Sequence, residues 1–114
     1  MNDQELYHKF LETKQEPVRL DAALQGYFSE SASSEQREAY GAYLQRRIRP
    51  AVEKLIRQGA IEKIASLEQL GWFREKELDH FIELAMQAER YPVLIWLQRL
   101  KSEKYGYQER NFSL

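Results

Sequence analysis

Apolar residues return every three or four positions through most of this chain, and no stretch alternates apolar and polar residues for long, so the pattern predicts helices and no strands. A first helix, about residues 3 to 14, carries Leu6, Tyr7, Phe10 and Leu11 on one face. Pro17 suits the first turn of a second helix, about 17 to 28, where its missing N–H has no partner to lose; Leu20, Leu24, Tyr27 and Phe28 form its stripe. The serine-rich run SESASS reads as a loop, and Ser33 with Gln36 forms a capping box into the next segment. From about 35 to 58, Tyr40, Leu44, Ile48, Ala51, Val52 and Leu55 share one side, with Arg46, Arg49, Glu53 and Arg57 on the other. Pro50 interrupts that segment: either one helix kinks near it, or one ends and another starts with Pro50 in its first turn, the arrangement favoured here.

The stretch LIRQGAIEKIASLEQLGWF cuts a single amphipathic pattern into short pieces. Gly59 supplies a turn, Ile61, Ile64 and Leu67 are the buried stripe of the next helix, and Gly71 caps its end, where glycine tolerates positive φ. Leu78, Phe81, Ile82, Ala85 and Met86 mark a helix of about 75 to 89. Tyr91-Pro92 is expected to turn the chain into a last helix, marked by Val93, Leu94, Trp96, Leu97 and Leu100 and closed by Gly106. The expected fold is all-α, with six or seven helices in one domain.

Ile61, Ile64 and Leu67 align with Leu94, Leu97 and Leu100 at a constant offset of 33 residues, as tandem helical hairpins do. The run Gly59-Ala60-Ile61-Glu62-Lys63-Ile64, followed by Leu67 and Gly71, resembles the second helix of the ankyrin family, and Ile82-Glu83-Leu84-Ala85-Met86 resembles the end of that family's first helix. Glu89-Arg90 stands where the family has Gly-His, and its Thr-Pro-Leu-His signature is missing from both units. The ending WLQRLKSEKYGY is similar to the close of small bacterial ankyrin-like helical domains. The resemblance implies a right-handed stack of two helix pairs over about residues 50 to 107 that works by binding another protein. Residues 1 to 49 are then a divergent further pair or a cap, and 108 to 114 a tail whose Phe112 and Leu114 are expected to dock back.

Charge narrows the function classes. Seventeen basic and eighteen acidic side chains leave a net charge of −1, so no overall field recommends nucleic acid or an anionic membrane. No apolar run approaches the ~18 to 20 residues of a membrane span, and the N-terminus lacks the apolar core of a signal peptide. With no cysteine there are no disulfides or thiolate sites, which fits a reducing cytoplasm.

Chemistry-bearing patterns are few. Both histidines sit in Glu-x-x-His, Glu5 to His8 and Glu77 to His80, a spacing used by di-iron bundles. At 100° per residue, however, His8 and His80 fall opposite the apolar faces of their helices, so no metal or cofactor is expected. No nucleophile elbow or phosphate loop is present. RRIRPAVEKLIR gathers Arg46, Arg47, Arg49, Lys54 and Arg57, a nucleic-acid candidate that Glu53 interrupts. Trp96 belongs to a core stripe, whereas of Trp72 and Phe73 one ring should tuck inward and the other stay exposed. The reading is a non-catalytic protein-interaction module whose surface includes Arg46, Arg49, Trp72, Phe73, His80 and Tyr91. The alternative is a small nucleic-acid-associated regulator using the arginine helix, and an uncovered apolar flank would also permit a homodimer.

Overall fold

The structure, a computed structural model, describes residues 1 to 106; the expected docking of Phe112 and Leu114 lies outside them. The described residues form seven helices and no strand: α1 (Asp3–Glu12), α2 (Glu16–Tyr27), α3 (Ser34–Arg46), α4 (Ile48–Gln58), α5 (Ile61–Gln69), α6 (Glu75–Gln87) and α7 (Tyr91–Tyr105). No helix among them is long and apolar enough to cross a membrane. The chain divides into two compact units, with the boundary between Ala51 and Val52, inside α4.

In the first unit α2 packs against both α1 and α3. Asn2 and Glu5 cap α1 reciprocally: the Asn2 side chain accepts from the Glu5 N–H at 2.7 Å, and the Glu5 carboxylate accepts from the Asn2 N–H at 3.0 Å. Ser33 and Gln36 close the expected capping box on α3, with both bonds at 3.1 Å. Being packed on two sides changes which face of α2 is buried. Its small residues Ala22, Ala23 and Gly26 are buried with Leu24, whereas Leu20, Tyr27 and Phe28 are only half-buried. Gly26 shows why. A Cβ there would lie 2.2 Å from a ring carbon of Tyr40, so only glycine lets the helix come this close. Tyr40 is held in turn by Phe10, 4.9 Å away edge-on, and by Tyr7 at 5.7 Å, while Phe10 also meets Tyr43 at 5.4 Å. Leu11, expected in the stripe of α1, is instead 54% exposed.

Pro50 does not kink a continuous helix. α3 ends at Arg46, Arg47 leaves helical geometry at φ −118°, and α4 begins anew with Pro50 as its third residue, where proline forfeits no intrahelical bond.

The second unit is built mainly on aliphatic residues. Val52, Leu55 and Ile56 of α4, Ile64 and Leu67 of α5, Leu78, Phe81 and Ala85 of α6, and Val93 and Leu97 of α7 are all at most 1% exposed. α4, α5 and α6 share one ending. The residue in left-handed geometry is Gly59 (φ 71°), Gly71 (φ 78°) and Glu89 (φ 58°) in turn, and the next N–H reaches back five residues to a carbonyl: Ala60 to Leu55, Trp72 to Leu67 and Arg90 to Ala85. The third turn therefore falls at Glu89-Arg90 and not at Tyr91-Pro92. Those two open α7, because proline's fixed φ and absent N–H suit a helix start. Ile64 and Leu67 are fully buried and so is Leu97, whereas Leu94 and Leu100 are half-buried, and the expected core residue Trp96 is only half-buried.

Candidate functional site

The residues singled out in the sequence fall in different places. Arg46, Arg47 and Arg49 cluster where α3 gives way to α4, in the first unit, and all three are exposed. Trp72, Phe73, His80 and Tyr91 belong to the second unit. Phe73 is 3% exposed, with its ring edge-on to Phe81 at 5.2 Å, so it offers no contact surface; Trp72 is half-buried. His80 is half-buried on α6, bonded at 2.7 Å to the Glu53 carboxylate of α4 and tilted against Phe81 at 5.8 Å. Tyr91 is 54% exposed at the start of α7, and Ile95, one turn on, is 55% exposed. Of the remaining basic residues, Lys54 is half-buried and engaged, and Arg57 is exposed.

The glutamates of both Glu-x-x-His spacings serve as helix caps. Glu5 and Glu77 are both the third residue of their helices, and each turns its carboxylate back to a helix-start N–H, Glu5 to Asn2 and Glu77 to Arg74 at 2.9 Å. His8 pairs with Glu12 one turn further along α1, at 2.9 Å. No group of three or more His, Asp or Glu placed to hold a metal ion occurs among the described residues.

What the tertiary structure adds is a groove beside the arginine cluster. Glu16, Pro17, Leu20, Tyr43, Arg47 and Pro50 line an open cavity of about 350 Å³ within the first unit. Two helix starts and one helix end build it: Glu16 and Pro17 open α2, Pro50 stands in the first turn of α4, and Tyr43 and Arg47 come from the last turn and cap of α3. The walls are mainly apolar, with a polar knot on one side. The Tyr43 hydroxyl donates to Glu16 Oε1 at 2.7 Å, Arg47 Nε donates to the same oxygen at 3.3 Å, and the Arg47 guanidinium lies 5.7 Å from the centre of the Tyr43 ring. The bond from Tyr43, then that from Arg47, holds the Glu16 carboxyl below its ordinary pKa. Burial, reinforced by the bond to Glu16, pushes the Tyr43 phenol up. Glu16 is therefore a fixed anion already occupied by its own neighbours. Arg46 and Arg49 have no such partner among the described residues.

Pro17 and Pro50 stand out in the sequence as helix starters, but nothing local announces that they face one cavity. Tyr43 and Glu16 are 27 positions apart. No protein-family model, curated protein or solved structure matches this chain.

Proposed function

We propose that this chain is a non-catalytic protein-interaction module that receives part of a partner protein in the groove of its first unit. The observation that carries the reading is the open apolar groove, with two arginines, Arg46 and Arg49, that have no partner among the described residues and adjoin its lining in the chain. The second unit is read as an ankyrin-like stack of two hairpins, α4–α5 and α6–α7. The shared left-handed endings and the burial of Ile64 and Leu97 at the 33-residue offset support that reading. A cytoplasmic setting fits the absence of cysteine.

The test is affinity capture from the native cell with the 114-residue chain and with its Leu20→Glu variant, which places a charge on the groove wall at a half-buried position, after circular dichroism has shown equal helicity. A protein retained by the wild type and lost by the variant is the expected result. Identical capture by the two would overturn the reading.

A further inference from the structure

We propose that the groove selects an acidic segment of its partner that carries a bulky apolar side chain, the side chain filling the slot and the flanking carboxylates meeting Arg46, Arg47 and Arg49. This rests on the reading of the chain as a protein-interaction module, and names the chemistry of the partner.

Size sets the first constraint. A volume of about 350 Å³ lies at the low end of the ~300 to 1,000 Å³ that ligand pockets span, room for one or two large side chains. Pro17, Leu20 and Pro50 form its apolar wall, and Tyr43 is buried at 6% exposure, so no open ring is offered for a nucleobase to stack on.

Charge sets the second. Glu16, the only carboxylate among the described lining residues, is matched by both Tyr43 and Arg47, so the groove's own anion is already neutralised and does not repel a second one. Arg46 and Arg49 are exposed with no ion-pair partner among the described residues, and Arg49 is the second residue of α4, a helix with no acidic residue in its first turn. That is the positive end of the helix dipole, where an added cation is unfavourable and an incoming anion relieves it. Two exposed arginines on the positions adjoining the lining residues Arg47 and Pro50, together with a dipole end, match an acidic, singly anchored peptide. A nucleic acid backbone would call for a longer track of cations.

The experiment is fluorescence anisotropy with a fluorescein-labelled peptide of alternating glutamate and aspartate around a central Leu-Trp pair. Binding is expected to weaken steeply with salt and to fall about tenfold or more in the R46E/R49E variant. Replacing the Leu-Trp pair by Ser-Gly should cost as much. Both arginines are exposed, and circular dichroism checks that the variant folds. Equal affinity for the Ser-Gly peptide, indifference to R46E/R49E, or tighter binding of a single-stranded RNA oligomer at the same salt would each overturn the proposal. So would groove-dependent capture of a partner without an acidic apolar segment, which leaves the interaction reading standing. Absence of any groove-dependent capture instead removes that reading itself.

Discussion

Gly26 and Gly59 both stand where glycine is favoured, for opposite reasons, and the contrast separates the two units. Gly26 has ordinary helical geometry but no space, because its missing Cβ is where the Tyr40 ring lies. Gly59 has nothing within 4 Å of a Cβ but sits at φ 71°, where an L side chain is strained. The first unit is a close-approach structure, locked by the aromatic cluster of Tyr7, Phe10, Tyr40 and Tyr43. The second is a turn-limited structure, in which short helices are stopped by left-handed residues and tied across by polar contacts: the His80–Glu53 hydrogen bond and the ion pairs of Lys101 with Asp79 at 2.5 Å and of Lys104 with the buried Glu68. Steric fit is unforgiving of added volume, whereas turn geometry is sensitive only to the backbone.

Substitutions can break or sharpen that contrast. The largest effect is expected from Phe81→Ala, which empties a fully buried site beside Phe73 and should cost about 3 to 5 kcal/mol in denaturant unfolding. Both tryptophans, Trp72 and Trp96, lie in the second unit, so the loss should register in tryptophan emission. Next comes Gly26→Ala, expected to cost about 1 to 3 kcal/mol by overpacking, since Tyr40 is pinned by two other rings and has little room to yield. A companion Tyr40→Leu change should recover part of that loss, and failure to do so would contradict the steric account.

Gly59→Ala should cost about 1 to 2 kcal/mol with no volume partner able to rescue it, and Gly59→Asn less, because asparagine tolerates left-handed geometry. Glu89→Gly runs the other way: relieving the left-handed glutamate should raise the melting midpoint, by a net gain of about 0.5 to 1 kcal/mol once the greater freedom of the unfolded chain is offset.

The gentlest probe is pH. Asp3 is held below its ordinary pKa by hydrogen bonds from Ser31 and Ser29, then by the Arg37 charge, and Glu16 by Tyr43 and Arg47. A lowered folded-state pKa stabilises the fold above the ordinary carboxylate range near pH 4, and that stability is lost as pH falls through the folded value. Both carboxylates lie in the first unit, so acid should reduce far-ultraviolet ellipticity before it alters tryptophan emission, and D3N/E16Q should flatten the acid limb. Lys104 is raised, chiefly by its bond to Glu68, so its contribution is present below about pH 10.5 and lost as pH rises through the folded value. Coincident acid transitions by both probes, unchanged in D3N/E16Q, would remove the distinction.

Helix count, class and most boundaries were legible in the chain because they depend on neighbours within a turn or two: the Ser33–Gln36 box, Pro17 and Pro50 as starters, Gly59 and Gly71 as stops. The third stop was not, since Glu89 carries no glycine to mark its left-handed φ. Leu11 and Met86 fit a helical stripe and are nevertheless half exposed, because periodicity shows which face is apolar but not how far a neighbour covers it.

What the amino acids decided alone is therefore local: seven stretches able to coil, their caps, and the positions where the backbone must reverse. Which faces met, that small Ala22, Ala23 and Gly26 would be buried while Leu20 lines a groove, and that Glu16 would be claimed by Tyr43 and Arg47 were settled only by packing. Hydrogen bonds and ring contacts spanning some 27 to 36 residues depend on how helices approach in space, and no short-range periodicity encodes that approach.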